Sequence, residues 1–91
     1  MWYLTQSQSN QTYGVLEAPS LDSISTRVCR DQQGRFRVTC LSTLTKVVPE
    51  EADYDLTVTE WLIQTGGIIL ETFESDNPLA DLPRLFPEYY I

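Results

Sequence analysis

The chain has no histidine, and its 91 residues include only two cysteines, four glycines and six basic side chains, against thirteen acidic ones. Each shortage removes a class of function. Without histidine, the usual proton shuttle at neutral pH is missing. Cys29 lies among arginines that would lower its pKa, but it has no imidazole to activate it, so we read it as an unreactive surface thiol rather than a nucleophile. Two cysteines make no disulfide framework, and Cys40 reads as a small core residue. Glu50, Glu51, Asp53 and Asp55 lack the glycine and closing glutamate of a calcium loop, and Gly66-Gly67 has no lysine after it to make a phosphate loop. The expectation is a protein that is not an enzyme and holds no metal or cofactor.

No apolar run approaches the roughly 18 residues that would span a membrane. The opening residues MWYLTQ have neither a basic region nor a long apolar run, so we expect no signal peptide and a cytoplasmic protein. The net charge of −7 opposes direct nucleic-acid binding, whose affinity comes from basic groups on phosphates. That charge is unevenly spread. Residues 27–37 carry four arginines and Asp31, a net of +3. Residues 1–26 carry −2, and residues 38–91 carry −8.

What is present is enough for one small domain, with 42% hydrophobic residues and ten aromatics. The organising stretch is 57–73, TVTEWLIQTGGIILETF. Thr57 and Glu60 fit a capping box, and Leu56 is placed to staple onto Trp61. Val58, Trp61, Leu62, Thr65, Gly66, Ile69, Leu70 and Phe73 recur at helical spacing. The competing reading is a hairpin turning at Gly66-Gly67, with Ile63 opposite Leu70. Cap and period agree with each other, which favours a helix over 57–74.

Residues 1–5 and 12–18 read as strands of a first hairpin. Residues 24–30 and 35–41 read as a second, turning through Gln32-Gln33-Gly34 with Gly34 at positive φ. That register sets Asp31 opposite Arg35 and Val28 opposite Val38, with Ile24, Val28, Phe36, Val38 and Cys40 on the core face. Residues 44–48 either continue that strand or form a separate one. Asp76 or Asn77 caps a second helix entry at Pro78, which Pro83 limits to one or two turns. The expected fold is α+β: an antiparallel sheet of about four strands in two hairpins, the 57–74 helix across one face, and a short C-terminal helical turn closing one end.

Three surfaces are candidates for binding. The first is a basic hairpin face of Arg27, Arg30, Arg35 and Arg37. The second is an acidic face of Glu50, Glu51, Asp53, Asp55, Glu60, Glu71 and Glu74. The third is apolar: Ile63, Ile68, Leu82, Leu85 and Phe86. They suit a small regulator or inhibitor that binds another protein. The alternative is an acidic decoy that imitates nucleic acid and blocks a protein or nuclease that binds it. An Ile63/Ile68 contact is also compatible with a homodimer.

Overall fold

In the computed structural model, which describes residues 1–50 and 55–90, the chain is built around its first strand, β1 (Trp2–Ser7). Trp2, Tyr3 and Leu4 are consecutive and all buried, so both faces of this strand are covered. β2 (Tyr13–Glu17) pairs antiparallel on one side, with Leu4 opposite Val15. β3 (Arg27–Arg30) follows β2, and β4 (Lys46–Val48) follows β3. On the other side of β1 lies β5 (Gly67–Phe73). The result is a five-stranded antiparallel sheet in the order β4-β3-β2-β1-β5. The α+β class is as expected, with one strand more than the sequence suggested.

The sheet has apolar residues on both faces. Trp2, Leu4, Val15, Cys29 and Val47 pack with Leu41, Leu44, Leu82, Phe86, Tyr89 and Tyr90. The alternate residues Tyr3, Leu16, Val28 and Val48 pack with Val58, Trp61 and Phe36. So α1 (Val58–Thr65) covers one face. On the other lie α2 (Pro78–Leu85), the 3-10 turn at Pro87–Tyr89 that follows it, and a second 3-10 turn at Leu41–Thr43. The expected short C-terminal helix is present, and its Leu82 packs on the face of the sheet opposite α1. The C-terminal segment is tied down by the Trp2 indole, which donates to the Ser75 carbonyl at 3.1 Å, and by the Ser75 hydroxyl, which donates to Asp81 at 2.6 Å. Asn77 stands at the cap position of α2 but makes no side-chain cap bond, and Pro78 occupies the first turn.

The 57–74 stretch is a helix followed by a strand. Its start is as expected. The Glu60 amide donates to the Thr57 hydroxyl and the Thr57 amide donates to the Glu60 carboxylate, each at 3.1 Å. Its end is not. Gly66 takes a left-handed conformation, φ 61° and ψ 37°, and its amide turns back to the Leu62 and Ile63 carbonyls. The Ser7 hydroxyl then takes the Thr65 carbonyl at 2.8 Å and the Gln8 amide takes the Gly66 carbonyl at 3.2 Å. With the last carbonyls of the helix satisfied by β1, the β-branched residues beyond Gly67 pair with that strand instead of continuing the helix. The hairpin alternative does not form either, since β5 pairs with β1 and not with 58–65.

The second hairpin is right at its tip and wrong in its arms. The Asp31 amide donates to the Arg35 carbonyl at 2.8 Å, and Gly34 has φ 82°. Beyond Arg35 the chain leaves β3. Val38 exchanges backbone bonds of 2.6 and 3.0 Å with Tyr13, taking the place beside β2 that β3 vacates at Arg30. The partner of Val28 is therefore Val48, not Val38. Ile24 is 57% exposed, Cys40 is exposed and Cys29 is buried, which reverses the core assignments of all three. Among the described residues, no helix is long and apolar enough to cross a membrane.

The two-sided core gives a direct check. Leu82 is 0% exposed and Leu85 is 39% exposed. Leu82→Ala is expected to lose about 2–5 kcal/mol in urea unfolding, and Leu85→Ala less than about 1 kcal/mol. Equal losses would mean that α2 does not cover the sheet.

Candidate interaction surfaces

The four arginines do not share a face. Arg27 and Arg30 are three residues apart on a strand, so their side chains leave on opposite sides. Arg27 lies over the Trp2 ring at 5.4 Å and donates through Nε to Glu17 at 2.8 Å. Arg30 lies over the Phe36 ring at 5.0 Å and donates to the Gly34 carbonyl at 2.7 Å. Both are half-buried and serve the fold.

Arg35 and Arg37 are different. They project from the irregular loop between β3 and Val38, and both are exposed. On one side lies an open groove of about 590 Å³ lined by Thr12, Gln33, Val38, Thr39, Ser42 and Thr45, among others. On the other is a second groove of about 430 Å³ that reaches Asn10 and Gly34. Arg35 and Arg37 line both. The pair forms a cationic spur that lines both grooves.

Asp31 holds the spur in place. It is buried, and its carboxylate accepts from the Gln33 amide, the Arg35 amide and Arg35 Nε, each at 2.9 Å. Burial alone would raise its pKa. The Arg35 amide and guanidinium and the Gln33 amide outweigh burial and hold the carboxyl below its ordinary value. Arg37 is set by stacking, 5.9 Å over the Trp61 ring.

The acidic candidates are dispersed. Glu60 is engaged in the cap of α1. Glu71 sits on β5, not on a helix face, and accepts from the Tyr89 hydroxyl at 3.2 Å. Burial first, and Glu71 second, push the Tyr89 phenol up. Glu50, Asp55 and Glu74 are exposed, while Glu51 and Asp53 lie outside the described residues. Of the apolar candidates, Ile63 is 75% and Ile68 42% exposed. Leu82 is corrected to a core residue with no surface to offer. Phe86 is half-buried, edge-to-face with Phe73 at 5.7 Å.

The two thiols exchange roles. Burial pushes the Cys29 thiol up to about 12, against the smaller lowering effect of Arg27. Cys40 is exposed, with its sulfur 2.9 Å from the Ser42 hydroxyl, a contact that lowers its pKa. Sequence reasoning also missed the hydroxyl-lined groove. The cluster Thr39, Ser42, Thr43 and Thr45 was its available signal.

Two measurements check these assignments. A disulfide reagent at pH 8 should titrate one thiol in the folded protein and both in urea, because only Cys40 is accessible and ionisable; two fast thiols would contradict the buried Cys29. The Asp31 carboxyl has a lowered folded-state pKa, so its contribution is present above the unfolded carboxylate range and is lost as pH falls through the folded value. The Tm advantage of the native chain over Asp31→Asn should therefore be full at pH 7 and shrink below about pH 4. A constant gap would show that the carboxylate charge does not hold the loop. In comparison with known proteins, the chain matches no family, no curated protein and no solved structure.

Proposed function

We propose that the protein is a small non-enzymatic regulator that acts by binding another protein, with Arg35 and Arg37 as its principal polar contacts. The observation that carries this reading is the exposed arginine pair lining two open grooves, one of them rich in hydroxyl side chains. Guanidinium groups recognise carboxylates through paired, planar hydrogen bonds. A partner with an acidic patch fits them. The clefts on either side accept flanking polar groups. Asp31 and the Trp61 ring orient the two side chains in advance, which reduces the entropy lost on docking.

The decoy reading draws on the same charge asymmetry from its other end. Residues 47–83 hold nine acids and no lysine or arginine. It is the weaker reading, because Glu60 is engaged in a helix cap and Glu71 accepts a hydrogen bond from Tyr89.

The test is capture of the tagged protein's partner from its native host, with nuclease present, followed by affinity measurement on that partner. Arg35→Glu with Arg37→Glu should weaken binding at least about tenfold, mostly through association rate, and flatten its salt dependence. Unchanged affinity would overturn the arginine site. Competition by DNA or RNA for a basic partner would replace this reading with the decoy. Deleting 78–91 is not a binding test, because α2 carries Leu82 into the core.

A further inference from the structure

The two edges of the sheet are guarded very differently. The β4 edge is three residues long, opens on Lys46 and is followed at once by Pro49, both standard devices against strand pairing. The β5 edge is seven residues long, Gly-Ile-Ile-Leu-Glu-Thr-Phe, with no lysine and no proline. Its one charged side chain, Glu71, accepts a hydrogen bond from Tyr89. β5 is terminal in the sheet order, and among the described residues no strand lies beyond it.

The backbone of β5 also shows which groups are open. The Gln8 amide donates to the Gly66 carbonyl, one step outside the Ser7–Gly67 pair. That makes Ser7–Gly67 a pair whose own backbone groups do not bond each other. By alternation, the amides and carbonyls of Gly67 and Ile69 turn away from β1, toward the outside. A register shift between Leu4 and Thr5 marks a bulge at Leu70 and ends this regular stretch. β5 itself carries one of the most exposed aliphatic side chains, Ile68.

We infer that the outer edge of β5 is a strand-accepting site, and that its occupant is an extended segment of another protein in which apolar and basic residues alternate. The inference rests on the protein-binding reading above and adds to it a site and a partner chemistry. In strand addition the backbone supplies the affinity and alternate side chains supply the choice of partner. Apolar residues of the incoming strand would cover Ile68. Its basic residues answer the charge of this half of the chain: residues 47–83 hold nine acids and no lysine or arginine. A second copy fits less well. Antiparallel β5–β5 pairing would set these same acids against themselves in a chain of net charge −7.

The test uses the full isotope-labelled chain and three synthetic nonapeptides. One alternates valine and lysine, one is the same peptide with alternate amides N-methylated, and one has glutamate for lysine. Hydrogen exchange at each amide is read by NMR. The valine–lysine peptide should slow exchange at Gly67 and Ile69 at least about tenfold, and the other two peptides should not. Ile69→Pro removes an outward amide without removing a bond to β1, and should abolish the effect while the Tm and far-UV spectrum show a folded chain. If that variant does not fold, Glu71→Lys serves instead, and should weaken the lysine peptide and favour the glutamate one. Equal binding of the N-methylated peptide, or protection only away from β5, overturns the site. Protection of the two amides in the protein alone, growing with concentration alongside a dimer in sedimentation, overturns the assigned occupant. A native partner lost with the arginine variants but untouched by Ile69→Pro overturns this site and leaves the docking reading standing. Peptide protection with no native partner does the reverse.

Discussion

Trp61 lies against β2 at the one place where that strand has no side chain. A Cβ on Gly14 would stand 2.6 Å from the Trp61 ring, so the close approach exists only because the residue is glycine. The indole donates to the Thr5 hydroxyl at 2.8 Å, and that hydroxyl donates to the Gly14 carbonyl at 3.2 Å. A large apolar ring and a buried polar chain are thus satisfied together. This contact fixes α1 over β1 and β2, and most of the rest follows from where α1 sits. It places Gly66 beside the end of β1, so the chain can only re-enter the sheet as β5. On its other side the ring packs 4.9 Å from Phe36 and lies under Arg37. The same side chain therefore holds the core and aims the loop that carries the exposed arginines.

Charge is sorted along the sheet rather than between its faces. The strands that carry basic residues, β3 and β4, lie together at one end of the order, and β5 lies at the other. Arg27 and Arg30 are absorbed by Glu17, aromatic rings and a backbone carbonyl. That leaves Arg35, Arg37 and Lys46 to present positive charge at that end of a chain that is acidic overall. In water such charges add little stability, which frees them for recognition.

The parts of this fold that were legible in the sequence are those decided locally. The Thr57–Glu60 box, the Asp31–Arg35 turn with Gly34, the first hairpin and the Pro78 helix start each depend on residues within a few positions of one another. The failures come from choices that the local pattern does not make. Residues 69 and 73 share a face in a helix and also in a regular strand, so their spacing does not separate the two. The bulge at Leu70 then breaks even the strand rule, sending Ile69 to one core and Phe73 to the other. Val28 had two apolar candidates, Val38 and Val48, and the nearer one lost because β2 had an empty place for Val38. The double-sided sheet did leave a trace. Adjacent buried or half-buried pairs occur in four strands, at Tyr3-Leu4, Val15-Leu16, Val28-Cys29 and Val47-Val48, which is the mark of strands covered on both faces. The arginine spur was legible as four arginines but not as two, because the half-burial of Arg27 and Arg30 depends on distant rings.

The pairing of β1 with β5 joins Trp2 to Phe73 and Ser7 to Gly67, partners sixty or more positions apart in the chain. This inner strand of the sheet is therefore completed only when nearly the whole chain is available. As the chain emerges from the ribosome, the first hairpin must wait with one long apolar flank unpaired. Such distant contacts slow folding, because loop closure comes before its reward. A nascent chain arrested before residue 73 would leave β1 without the whole of its second neighbour and open to pairing with other chains.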